Sequence, residues 1–143
     1  MLSPTVLLGR TTVLVVDDEQ PLREYLSRVL EDDGYHVLTA RDGIEALTLV
    51  EGGGTLIQLV ITDISMPRMT GTQLADHLAA QPGSPPLLFI SGGYVATELA
   101  RPLLTKPFTG KELSAVVRRL LTGGREPLPV SSASHSPGAS TGP

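Results

Sequence analysis

The chain has 143 residues, of which 41% are hydrophobic, with a formal net charge of −4 and no Cys. That length and apolar content suit one domain with a packed core, and the lack of Cys excludes a disulfide scaffold, a Cys-based zinc site and thiol chemistry. Mild acidity speaks against a nucleic-acid-binding surface, and no apolar run approaches the roughly 20 residues of a membrane-spanning helix.

Residues 1–11 read as a leader. Their apolar patch has no charged segment before it, which makes a poor signal peptide. Val13-Leu14-Val15-Val16 is a short apolar run that ends in acids, and Leu22, Leu26, Val29 and Leu30 then recur at helical spacing up to Gly34. His36 to Ala40 reads as a second strand. Asp42 opens the next helix, with Glu45 three residues on as a capping box, and Gly52-Gly53-Gly54 closes it.

A third apolar run spans Leu56 to Thr62 and ends at Asp63. Gly71 to Ala80 carries a helix with Leu74 and Leu78 on one face, and Pro82 follows it. Leu87 to Ile90 is a fourth run, ending at Ser91, and Leu103-Leu104-Thr105 a fifth, ending at Lys106. Thr109 and Glu112 form a capping box for the last helix, with Phe108 and Leu113 placed as a hydrophobic staple. The remaining residues, 123–143, are dominated by Gly, Pro and Ser and hold few large aliphatics. They are expected to form a disordered tail, because too little apolar surface is available to offset the entropy of ordering.

Apolar strands alternating with helices predict an α/β fold: a doubly wound, five-stranded parallel sheet over residues 12–122, with helices on both faces. In such a sheet, ligands bind beyond the carboxyl ends of the strands. Here the first strand ends in Asp17-Asp18-Glu19, the third in Asp63, the fourth in Ser91 and the fifth in Lys106. Taken singly, each is an ordinary helix cap or loop residue. Together they bring carboxylates, a hydroxyl and an ammonium to one rim. Crowded carboxylates need neutralising, and a hard cation with oxygen ligands, Mg²⁺, suits them. With a hydroxyl and an ammonium beside it, the group can receive a phosphoryl group on a carboxylate.

The segments VVDDE at 15–19, DISMPRMTG at 63–71, ISGG at 90–93 and TKPF at 105–108 resemble the receiver domain of two-component response regulators. The resemblance implies a flavodoxin-like sheet of order 2-1-3-4-5. It implies that Asp63 is the phosphoacceptor and that Asp17, Asp18, Asp63 and the backbone carbonyl of Ser65 hold Mg²⁺. Ser91 is then the switch hydroxyl and Lys106 the counter-ion, with a cis peptide between Lys106 and Pro107. Gly92 is expected to leave the site open.

The implied function is a phosphoacceptor switch that takes a phosphoryl group from a phosphohistidine. Its partner would be a histidine kinase or a histidine phosphotransfer domain, and its location the cytoplasm. The run around Ser91 and Lys106 is most similar to receivers of hybrid histidine kinases. This implies a stand-alone or detached receiver without DNA-binding output, with no nucleic-acid or membrane partner, and not an enzyme. A receiver-like interaction module that is never phosphorylated is the alternative reading. An aspartyl-phosphate hydrolase is disfavoured, because those enzymes place a second Asp two residues after the nucleophile, where this chain has Ser65.

Two departures from the family pattern stand out. Leu103 occupies the position three before the motif lysine, where the family commonly has an aromatic residue. Only 15 positions separate Ser91 from Lys106, so a shortened fourth helix is expected between them. His36, His77 and His135 lack metal-ligand spacing, and Met66 and Met69 are expected to pack.

Overall fold

Strand formation follows the apolar runs because a residue buried on both sides of a parallel sheet must be apolar throughout. A computed structural model of the chain describes residues 11–66, 68–92 and 101–123. The expected leader at 1–11 and tail at 123–143, apart from Thr11 and Gly123, and the expected shortened fourth helix over 93–100 lie outside the described residues. Among the described residues the strands are β1 (Thr12–Val16), β2 (His36–Ala40), β3 (Leu59–Asp63), β4 (Leu87–Ser91) and β5 (Leu103–Thr105). The helices are α1 (Gln20–Asp32), α2 (Gly43–Glu51), α3 (Gly71–Ala79) and α4 (Gly110–Leu121). All strand pairs are parallel and the sheet order is β2-β1-β3-β4-β5, as expected.

Alternation along β1 decides which helices cover which face. Val13 and Val15 point with Leu59, Ile61, Leu88 and Ile90 to a layer closed by Leu26 and Leu30 of α1 and Leu113 and Val117 of α4. Leu14 and Val16 point the other way, with Val60 and Phe89, toward Ala46 of α2 and Leu74, Ala75 and Leu78 of α3. Two cores therefore clamp one sheet, and burying each large aliphatic side chain contributes about 1.5–3 kcal/mol.

Three local expectations need correction. β3 starts at Leu59, three residues later than read, because the ladder with β1 begins where Gln58 N–H donates to the Thr12 carbonyl. Leu56 lies before it and is 77% exposed. The outer strands are not buried throughout: Leu103 of β5 and His36 of β2 are exposed, since each strand lies at an edge of the sheet. At α2, Asp42 accepts from Glu45 N–H as expected, but the Glu45 carboxylate returns to Arg41 N–H and not to Asp42. The Thr109–Glu112 box is complete, and a second one, Thr70 with Gln73, opens α3.

Candidate functional site

Parallel register brings the polar residues to the same end of adjacent strands. Val16 of β1 lies opposite Thr62 of β3, Asp63 opposite Ile90, and Ser91 opposite Thr105. The residues ending these strands, Asp17, Asp63, Ser91 and Lys106, thus reach the same rim. Asp17 and Asp63 follow or end β1 and β3, between which the winding of the sheet reverses. That crevice is where doubly wound sheets bind ligands.

Asp17, Asp18 and Asp63 each offer a carboxylate oxygen, and these oxygens all lie within 4.8 Å of one another. Asp17 is buried, Asp63 half-buried and Asp18 exposed. Asp17 Oδ1 accepts from Glu19 N–H at 2.8 Å, while its buried Oδ2 has no hydrogen-bond partner. An orphaned buried carboxylate oxygen on a residue clustered with two further carboxylates is costly as it stands, and a cation bound there would satisfy it. This donor set, all oxygen and anionic, fits a hard divalent ion.

Burial and crowding both act on these carboxyl groups. Burial pushes the Asp17 carboxyl up to about 6, against the Glu19 hydrogen bond, with the negative charge of Asp63 adding to the rise. Burial also raises Asp63, opposed by the positive charge of Lys106 and by hydrogen bonds from the backbone N–H groups of Ser65 and Ile64. Ser65 is therefore at the site through its backbone, on an exposed loop residue. Ser91 is 8% exposed, and its carbonyl accepts from Lys106 N–H at 2.8 Å, which fixes the two residues to each other. The Lys106-Pro107 peptide is cis, as expected. Gly92 is exposed, but openness is not its whole role: a Cβ there would stand 3.1 Å from Lys106 Cδ, so the missing side chain makes room for the lysine stem.

Further supporting residues were not singled out from the sequence. Arg23 Nη1 donates to the Asp17 carbonyl at 2.7 Å, tying α1 to the acidic turn. Gly71 lies against the Asp63 backbone, and Arg68 pairs with Asp42. The signals were thin: an Arg in the first turn after an acid pair, and a Gly at a helix start. Met66 is buried and Met69 packs on Gly43, as expected.

The family model described as "Response regulator receiver domain" matches residues 13–118. The chain belongs to the response regulator receiver domain family. It is 36% identical over 125 residues to the sensor kinase CckA of Brucella abortus (strain 2308), a match covering 82% of this chain and 13% of that protein. It is 34% identical over 126 residues to the probable transcriptional regulator ycf27 of Cyanophora paradoxa, covering 84% of this chain and 52% of the relative. The chain thus spans about half the length, or far less, of these relatives. Among solved structures, the receiver domain from the hybrid histidine kinase CckA superposes with a TM-score of 0.68 at 36% identity, covering 77% of this chain and 98% of that one. A response regulator receiver protein from Sinorhizobium medicae WSM419 superposes with a TM-score of 0.73 at 28% identity, covering 82% and 99%.

The family corrects one expectation. The expectation that the chain is not an enzyme does not stand as a flat exclusion, because the family is a phosphoacceptor switch. Among the described residues, no helix is long and apolar enough to cross a membrane.

Proposed function

We propose that this receiver accepts a phosphoryl group on Asp63 from a phosphohistidine, with Asp17, Asp18, Asp63 and the Ser65 carbonyl holding Mg²⁺. Two observations carry this reading: Asp17 Oδ2 is buried without a hydrogen-bond partner, and Asp17, Asp18 and Asp63 each bring a carboxylate oxygen within 4.8 Å of the others. Mg²⁺, when bound, neutralises oxygens of the incoming phosphoryl group.

The chain's own residues do the rest. A carboxylate oxygen of Asp63 forms the new O–P bond as the N–P bond of the phosphohistidine breaks, and the departing histidine nitrogen keeps the electron pair. The backbone N–H groups of Ser65 and Ile64 favour the ionised form of the Asp63 carboxylate. Lys106 supplies positive charge toward Asp63 and then toward the phosphoryl oxygens. Ser91, at the end of β4 one residue beyond the partner of Asp63, donates its hydroxyl to a phosphoryl oxygen.

A histidine kinase or a histidine phosphotransfer domain is the proposed donor, in the cytoplasm, and residues 12–122 are the proposed receiver unit, with the leader at 1–11 and the tail at 123–143. The likeness to CckA supports a receiver of the hybrid-kinase type.

Incubation with acetyl phosphate and Mg²⁺, read by intact-mass spectrometry, tests the proposal. An added phosphoryl mass that is stable in acid, labile in base and absent from Asp63→Asn is expected. No adduct, or an adduct that survives in Asp63→Asn, overturns it.

A further inference from the structure

The loop bearing Ser65 leaves β3 at Asp63 and enters α3 at Gly71, and it is fastened to a second loop at the same rim. Arg68 Nη2 pairs with Asp42 Oδ2. Asp42 is the N-cap of α2, only 7% exposed, and its other oxygen already accepts from Glu45 N–H. One residue further on, Met69 covers Gly43, where a Cβ would stand 2.7 Å from Met69 Sδ.

Arg68 has φ of 69°, in the left-handed region that residues with a Cβ seldom adopt. Its own side chain does not favour that conformation, so the surroundings must impose it. The partner at hand is a buried carboxylate, for which losing the guanidinium would leave an acceptor unsatisfied.

What this loop holds is the site itself. The backbone N–H groups of Ser65 and Ile64 favour the ionised Asp63 carboxylate, Ile64 N–H also donates to the Ile90 carbonyl at 3.2 Å, and Gly71 N–H donates to the Ile64 carbonyl at 2.7 Å. Arg68 lies between these points and touches none of the three carboxylates at the metal position.

We propose that the Asp42–Arg68 pair is a latch, with Arg68 a positioning residue that holds the 64–71 loop in its metal-binding form before the cation arrives. The latch rests on the reading of the acidic cluster as the Mg²⁺ site. Its contribution is preorganisation: without it, part of the binding free energy of the cation goes into ordering the loop.

The test compares wild type with Arg68→Ala, Arg68→Lys, Arg68→Gly and Asp42→Asn. Asn keeps the helix cap and removes the charge. Calorimetry gives Mg²⁺ affinity, hydrogen exchange reads the 64–71 amides in metal-free protein, and urea unfolding checks the fold. Arg68→Ala and Asp42→Asn should each weaken Mg²⁺ binding about tenfold, the low end for residues acting behind metal ligands. Loop exchange should quicken in both, with unfolding midpoints near wild type. Arg68→Lys should restore most of the affinity, and the double variant should be no weaker than either single one.

Wild-type affinity in Arg68→Ala and Asp42→Asn overturns the latch and leaves the Mg²⁺ site standing. Wild-type affinity in Arg68→Gly also overturns it, because a relaxed backbone would then suffice without the pair. Losses that merely track falling unfolding midpoints count against it too. If wild type binds no Mg²⁺ and forms no adduct with acetyl phosphate, the site reading fails, and the latch with it.

Discussion

A Cβ on Gly71 would stand 2.2 Å from the carbonyl oxygen of Asp63 and 2.9 Å from the Cα of Ile64. The start of α3 is therefore packed directly on the backbone of the residue proposed to take the phosphoryl group. Both neighbours are main chain and cannot swing aside. Gly71→Ala should cost about 1–3 kcal/mol in urea unfolding, the usual range for overpacking. It should also displace the Ile64 and Ser65 donors, so that adduct formation with acetyl phosphate falls well before the fold is lost. Wild-type stability and wild-type labelling together would show that the loop gives way freely.

Lys106 acts on the cluster as a charge. Its ammonium lowers both Asp63 and Asp17, so it partly does the work of a cation and competes with one. Lys106→Met keeps much of the stem that lies against Gly92. Mg²⁺ binding should tighten by a few-fold, on the order of the loss of one nearby like charge in a partly solvated site. Labelling of Asp63 should slow in the same variant, since the phosphoryl oxygens lose a counter-ion. Calorimetry and intact-mass kinetics on one preparation read the two opposed effects. A fall in both quantities would place Lys106 in a structural role.

Most of the sheet was legible because β1, β3 and β4 are buried on both faces, which requires apolar residues at every position. The same reasoning misjudged the edges. Leu103 in β5 is as apolar as Leu88 in β4, yet one is exposed and the other buried, and only the position of the strand in the sheet separates them. The site residues were legible for a related reason: a carboxylate, hydroxyl or ammonium directly after an apolar run stands out against it. Arg68 and Asp42 did not stand out. They are 26 positions apart, and each looks ordinary alone, a cap and a surface arginine. Their pairing depends on two loops meeting at the rim, which is a property of the topology and not of either segment. Gly71 was visible only as the end of a motif, because what it avoids is the backbone of another element.

Asp42 should make the fold more sensitive to acid. Its carboxyl is held below the usual value of 3.8, first by the Glu45 N–H bond and further by Arg68. A group lowered in the folded state stabilises fully above the unfolded value, and that share is lost as pH falls through the folded value. Asp42→Ala should therefore cost about 1 kcal/mol at neutral pH, as for other lost N-caps. The gap from wild type should narrow below pH 3.8. Asp42→Asn, which keeps the cap, should cost less at neutral pH. Urea midpoints measured from pH 7 to pH 3 check both statements, and a gap that stays constant across that range would count against the charged cap.

Asp17 carries the opposite sign. Its carboxyl rises from 3.8 to about 6 in the metal-free fold, chiefly through burial. The folded state then binds a proton more readily than the unfolded chain, so metal-free stability rises as pH falls through about 6 toward 3.8. Above pH 6 the ionised, unpartnered Oδ2 is a standing cost. Asp17→Asn removes that charge and leaves an oxygen to accept the Glu19 N–H. The metal-free variant should accordingly melt above wild type at pH 7.5, and the difference should shrink toward pH 5. Mg²⁺ reverses the order, because it stabilises only a protein that can bind it. Millimolar Mg²⁺ should raise the melting temperature of wild type at pH 7.5, do so much less at pH 5, and leave Asp17→Asn nearly unmoved at either pH. Calorimetric melting of the two proteins, with Mg²⁺ and with a chelator, reads all of this. A variant that melts below wild type in chelator would mean that the buried carboxylate already has a partner. It would also remove the orphaned oxygen as the ground for placing a cation there.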